Sequence, residues 1–146
     1  MIREEQKDLW SSDFDSYWRC ILVNGDVNRV GQAVMGQGCA LEAAQRIPWL
    51  ANRFGLRLQA FEPSVWLVPE ERLVMFPTKV HWRERSSLPL IRQSCIQLRE
   101  LISSTSVKVV LPRPGCGHGG LDWGRVRPVI EEELGGLKNE IVVVNL

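Results

Sequence analysis

Two hydrophobic periods run through this chain. Short apolar runs read as strands: Trp18 to Val23, Val65 to Val68, Leu73 to Phe76, Val107 to Leu111 and Ile141 to Val144. Leu56 to Phe61 reads as another strand, and Met1 to Gln6 as a short edge strand. Turns at Glu62-Pro63-Ser64 and Pro69-Glu70-Glu71 separate the middle runs, whose close spacing predicts a hairpin. The helical period appears from Leu88 to Ile102, where Leu90, Ile91, Cys95, Leu98, Leu101 and Ile102 share one face behind the N-cap Ser87. Cys39 to Ile47 is alanine-rich and helical, with Pro48 ending or kinking it. Trp49 to Gly55 reads as a turn or short helix with Gly55 as its C-cap. Gly124 to Leu134 is a last helix, stopped by Gly135-Gly136. Strands and helices in this order predict an α/β fold: helices on both faces of a mixed, mostly buried sheet, in one domain over residues 1–146.

Two glycine-rich loops interrupt the pattern at chemically useful places. Leu111 to Trp123 holds four glycines within six residues, between a strand and a helix. Gly31 to Gly38 lies between the strand ending at Val23 and the helix from Cys39. Such loops allow close backbone approach and present N–H groups and a helix N-terminus, which favour an anion. Each alone is equally a tight connection without a ligand. Two loops after two strands can flank one crevice at the carboxyl edge of a sheet, which suits a diphosphate and so a nucleotide-like ligand. No Gly-Lys-Ser/Thr follows either loop, which excludes a Walker A site.

Composition narrows the alternatives. A hydrophobic share of 45% and a charged share of 24% are those of an ordinary globular protein. The net charge of +1 argues against a dedicated nucleic-acid binder. No apolar run is long enough to span a membrane and the polar N-terminus does not resemble a signal peptide, so the expected location is cytoplasmic. Cys20, Cys39, Cys95 and Cys116 are scattered, and no metal or cofactor is expected. Cys116 can be read as a nucleophile or as a small residue supporting its loop.

Several polar residues carry a structural and a functional reading together. Asp8 is a surface charge or helix cap, or an acceptor for the exocyclic amine of a base. Asn24 belongs to an Asn-Gly turn, or hydrogen-bonds a sugar hydroxyl from the end of its strand. The stretch from Phe76 to Arg85 is a solvated loop with one packed Trp, or a group of anion- and base-binding side chains.

Four segments in this order resemble the macrodomains, the ADP-ribose-binding α/β/α family: Lys7-Asp8-Leu9-Trp10, Val34 to Leu41, Phe76 to Arg83, and Pro114 to Trp123. The resemblance is to the branch of the DNA ADP-ribosyl glycohydrolase antitoxins and the terminal ADP-ribose protein glycohydrolases, and it spans nearly the whole chain. It implies a three-layer sandwich and a role in ADP-ribosylation. Asp8 and Leu9 would hold the adenine, and Asn24 would lie near the distal ribose. Ala33, Val34, Met35, Gly36 and Gly38 would wrap the distal ribose and diphosphate. Pro114, Gly115, Cys116, Gly117, His118, Gly119, Gly120 and Leu121 would cradle the diphosphate from the other side. It also implies a hydrolase lysine on the helix after the Met-Gly-x-Gly loop, near Ala44 or Gln45, but no lysine occurs from Gly36 to Thr78. An aspartate implied in the second loop is replaced by Gly119, with Asp122 three residues on.

Three readings follow. One is a hydrolase of an ADP-ribose linkage that works without that lysine. Its candidate catalytic groups are Asn24, Asp26, Glu42 and Asp122, with His118 as a proton donor. Asp122 is equally placed to cap the last helix. The second is a non-catalytic reader of ADP-ribose, free or attached to protein or nucleic acid, acting as a monomer. The third is a single-stranded nucleic-acid binder using Lys79, His81, Trp82, Arg83 and Arg85.

Overall fold

The computed structural model describes residues 2–145; Met1, the start of the expected edge strand, lies outside the described residues. The elements are β1 (Ile2–Glu5), β2 (Trp18–Val23), α1 (Gly38–Arg46), α2 (Leu50–Ala60), β3 (Trp66–Val68), β4 (Leu73–Pro77), α3 (Leu88–Ile102), β5 (Val109–Pro112), α4 (Trp123–Leu134) and β6 (Ile141–Val144). One six-stranded sheet runs β1-β6-β5-β2-β4-β3. Only β3 is antiparallel to its neighbour β4, which makes the sheet mixed. β3 and β4 form the expected hairpin, closed by a turn at Pro69–Glu71 with Arg72 at φ +51°.

The strand period of two splits the core into two layers. Ile21, Val23, Leu73, Met75, Val110, Val142 and Val144 face α1 and α2, where Ala40, Ala43, Leu50 and Phe54 meet them. Cys20, Val74, Phe76, Val109, Leu111, Ile141 and Val143 face Ile91, Cys95, Leu98 and Ile102 of α3 and Val126, Ile130 and Leu134 of α4. The result is a three-layer α/β/α sandwich. Ser87 caps α3 by accepting from the Leu90 N–H at 3.2 Å. Among the described residues no helix is long and apolar enough to cross a membrane.

One expectation is overturned. Leu56 to Phe61 is no strand: residues through Ala60 continue α2. Leu56-Arg57-Leu58-Gln59 alternates like a strand, but Leu50 and Phe54 set a helical face in the sheet-packed core, and that burial decides. Gly55, expected as a C-cap, lies inside α2 with the backbone of residues 31–33 pressed on it. A Cβ there would lie 2.0 Å from Gly31 O and 2.9 Å from Ala33 N. Gly55→Ala should therefore destabilise the fold by about 1–3 kcal/mol through overpacking. That outweighs the helix-propensity gain of about 1 kcal/mol. Urea unfolding measures it; a variant more stable than the parent would refute this packing.

Candidate functional site

Because β1, β6, β5, β2 and β4 are parallel, their carboxyl ends share one edge, and a cleft of about 890 Å³ opens there. That size is within the roughly 300–1,000 Å³ of small-ligand sites. Residues after all five parallel strands contribute to its wall: Asp8 and Leu9 after β1, Asn145 after β6, Gly115 to Gly119, Leu121 and Asp122 after β5, Asn24, Val34, Gly36 to Ala40 and Glu42 after β2, and Lys79 and Trp82 after β4.

Loop 1, between β2 and α1, is shaped by the Asn24 side chain. Its Nδ2 donates to Val34 O at 3.1 Å, and its Oδ1 accepts from the Asp26 N–H at 2.9 Å. Gly31 and Gly38 are at φ +83° and +58°, conformations in which a glycine avoids strain. The α1 N-terminus has no side-chain cap from Gln37. Gly36 would bring a Cβ within 4 Å of nothing. Of the loop 1 positions assigned to the ligand from sequence, Val34, Gly36 and Gly38 line the cleft. Ala33 and Met35 are buried in the core instead, Ala33 donating its N–H to Ala51 O at 2.8 Å.

Loop 2, between β5 and α4, folds on itself through Leu121 N–H to Gly115 O at 2.9 Å. Gly115, Cys116, Gly117, His118, Gly119 and Leu121 line the cleft, whereas Pro114 and Gly120 do not. Its glycines do different work. A Cβ on Gly119 would lie 2.1 Å from Ser86 Oγ and 2.5 Å from Gly115 O, whereas one on Gly117 meets nothing within 4 Å. His118 reaches across to loop 1, its Cδ2 4.0 Å from a Cβ built on Gly38. Asp122 takes the N-cap position of α4 but makes no capping bond, so its carboxylate stays exposed in the cleft wall. Burial pushes the Cys116 and Cys39 thiols up, Cys39 to about 11, which disfavours either as a thiolate nucleophile at neutral pH.

The stretch after β4, read from sequence as a solvated loop or a group of anion- and base-binding side chains, is a third wall of the same cleft. It is stitched to both glycine loops. Gly25 N–H donates to Val80 O at 2.8 Å, Ser86 N–H to Gly119 O at 2.9 Å, and Arg85 Nη2 to Gly120 O at 2.6 Å. Lys79 Nζ donates to Trp82 O at 3.0 Å. Lys7 and Lys79 both line the cleft, while α1 itself carries no lysine. Lys79 comes after another strand, and the rule that ligands collect at carboxyl strand ends points to it. The same rule finds Asn145. Trp123 and Arg113, stacked at 4.9 Å, are further cleft residues the sequence did not single out.

Asp26 stands apart from the cleft wall and acts as a latch. Its Oδ1 pairs with His81 Nδ1 at 2.9 Å and its Oδ2 accepts from the Trp82 N–H at 2.9 Å. Partial burial pushes the Asp26 carboxyl up, but the His81 and Trp82 hydrogen bonds outweigh it and hold the group below its ordinary range. The Asp26 bond in turn raises His81. Asp8 lines the cleft and accepts from the Trp10 N–H on Oδ1 at 2.9 Å. Among the described residues no cluster of His, Cys, Asp and Glu could hold a metal.

No protein-family model matches the chain. The DNA ADP-ribosyl glycohydrolase of Mycobacterium tuberculosis is 33% identical over 133 residues, which cover 84% of this chain and 36% of that protein. The protein of the same name from Thermus aquaticus is 31% identical over 127 residues, covering 80% and 34%. The chain thus spans about a third of the length of these curated relatives. The solved macrodomain of Mycobacterium tuberculosis DarG matches 100% of this chain and 98% of its own, with TM-score 0.82 and 27% identity. That of Thermus aquaticus DarG gives 0.78 and 28% over the same shares. Thermosipho africanus DarTG, solved with ADP-ribose, shares the fold with TM-score 0.81 at 22% identity, over 98% of this chain and 41% of that one.

Fold and cleft together define the chain as a member of the macrodomain family. Within it, the similarity in sequence and structure is to the macrodomains of the DNA ADP-ribosyl glycohydrolases.

Two outcomes follow from the latch. Its Asp26 contribution is present above 3.8, that group's ordinary value, and is lost as pH falls through the lowered folded value. Its His81 contribution is present below 6.5 and is lost as pH rises through the raised folded value. Asp26→Asn should let the His81 pKa fall back toward 6.5 and speed exchange of the Trp82 amide. An NMR titration of His81 that is the same in both proteins would rule the latch out.

Proposed function

We propose that this chain, as one macrodomain unit over residues 1–146, binds ADP-ribose and hydrolyses the bond joining it to DNA. The order of groups along the sheet edge carries the reading. From β1 to β4 are four strand steps of about 4.8 Å, or about 19 Å. Along that line come an acceptor for an adenine amine (Asp8), then the loops after the adjacent strands β5 and β2, then a lysine after β4. ADP-ribose has the same order: base, ribose, diphosphate, ribose.

The two loops supply the diphosphate site. Free N–H groups at the α1 N-terminus face loop 2, and Gly36 and Gly117 leave room for the phosphates to touch backbone. The distal ribose then lies by Asn24, with its anomeric carbon toward Lys79. Cleavage there builds oxocarbenium character, and a held sugar needs less activation. We assign Lys79 to that carbon as nucleophile or electrostatic partner. His118 and Asp122 are the groups in the wall able to move a proton. Asn24, with both ends of its amide engaged, positions loop 1. The relatives named DNA ADP-ribosyl glycohydrolase support DNA as the attached macromolecule.

Calorimetric titration with ADP-ribose, with AMP and NAD as controls, tests the ligand. Gly117→Glu should weaken binding at least about tenfold by placing a like charge beside the diphosphate, and the melting temperature should stay unchanged because its Cβ meets nothing. Gly119 is a poorer probe, since any Cβ there collides with Ser86 and breaks the loop itself. Release of ADP-ribose from a modified oligonucleotide tests the reaction, and Lys79→Ala should lower kcat by about 100-fold or more. Tight binding with no release by the parent protein would make it a reader. No binding at millimolar ADP-ribose would end the reading altogether.

A further inference from the structure

Trp82 is held in a costly position. Its backbone is fixed at both ends: the N–H by Asp26 Oδ2 at 2.9 Å and the carbonyl by Lys79 Nζ at 3.0 Å. Yet the residue is 44% exposed at the lip of the cleft, beside Val80 at 47%. An indole of that size is ordinarily buried for its apolar area. Here the chain spends a carboxylate and an ammonium to keep it in the open. The Arg83 guanidinium lies 4.8 Å from the ring, and Arg83 makes no ion pair among the described residues. Trp82 lines the cleft next to Lys79, whose Nζ donates to its carbonyl, and Arg83 follows it just outside the lining.

If ADP-ribose runs along the edge as proposed above, whatever is joined to its anomeric carbon comes out at this lip. A flat exposed ring with an adjoining free cation matches one kind of group: a planar base on a phosphate-bearing strand. Stacking on an aromatic ring recognises unpaired bases, and an arginine beside it takes the next phosphate. A base inside a duplex has no free face to offer. The overall charge of +1 is no obstacle, because only one or two phosphates need be met. We propose that Trp82 and Arg83 form the leaving-group subsite, in which a nucleobase of single-stranded DNA stacks on the Trp82 ring and a flanking phosphate pairs with Arg83. This rests on the ADP-ribose reading and adds to it the part of the substrate beyond the sugar. Trp82 and Arg83 then decide between DNA-linked and protein-linked ADP-ribose.

The test compares Trp82→Ala, Trp82→Phe and Arg83→Ala on ADP-ribosylated single-stranded oligonucleotide, on an ADP-ribosylated peptide and on free ADP-ribose. The readout is kcat/KM, or Kd where the parent protein does not turn over. Trp82→Ala should cost about 5- to 150-fold on the oligonucleotide, far more than on free ADP-ribose or the peptide. Trp82→Phe should restore most of it. Arg83→Ala should reduce the salt dependence on the oligonucleotide by the equivalent of one phosphate, a slope change of about 0.7. The subsite is overturned if Trp82→Ala leaves oligonucleotide handling unchanged, or lowers all three ligands equally. It is overturned also if the parent prefers the peptide. A parent protein that binds no ADP-ribose removes the underlying reading instead, and this one with it.

Discussion

Everything at the site depends on five strands running the same way. A parallel strand must return by a crossover, and the crossovers place helices on both faces of the sheet. All five carboxyl ends therefore meet at one edge, and residues after each of them line the cleft. Residues as distant in the chain as Asp8, Asn24, Lys79, Gly117 and Asn145 become neighbours in one cleft for this reason alone. The two-layer core beneath them, filled by alternate residues of each strand, makes that edge a rigid base.

The loops on that base are tied to one another by hydrogen bonds to backbone groups. The segment after β4 bonds to Gly25 on one side and to Gly119 and Gly120 on the other, so the three walls hold one another. Glycine serves two opposite purposes there. At positions 55 and 119 it lets protein come close to protein, since a Cβ would lie 2.0 or 2.1 Å from its neighbour. At positions 36 and 117 it faces open space, where a ligand can come close to the backbone. Only the second kind bears on binding directly, and the two cannot be told apart by their spacing in the chain.

Charge is arranged in the same local way. The chain as a whole is nearly neutral. At the cleft, Lys7, Lys79 and Arg113 stand among the carboxylates of Asp8, Glu42 and Asp122, so the surface offers particular points to a substrate and no broad field. Asp26 illustrates the economy of this arrangement. It lies close in sequence to Asn24 and reads as a candidate acid, but its two oxygens are taken by His81 and the Trp82 N–H. Through both of them it fixes a wall of the cleft.

The sequence by itself determined the layered α/β plan, the hairpin, the capped helix from Leu88 to Ile102 and the two glycine loops. These features are local: hydrophobic period, a Ser before a helix, and glycines between a strand and a helix are all set by neighbours in the chain. It also carried the family resemblance in four ordered segments. The helix through Leu56 to Ala60 was illegible, because its alternating residues obey a strand period while burial of Leu50 and Phe54 against the sheet holds the helix. Tertiary structure alone decided that Gly55 takes the backbone of loop 1, that Asp122 leaves its helix uncapped, and that Lys79 lines the cleft. Each of these depends on what lies across a gap between segments far apart in the chain. Such distances are fixed by the order of strands in the sheet, which no local period encodes.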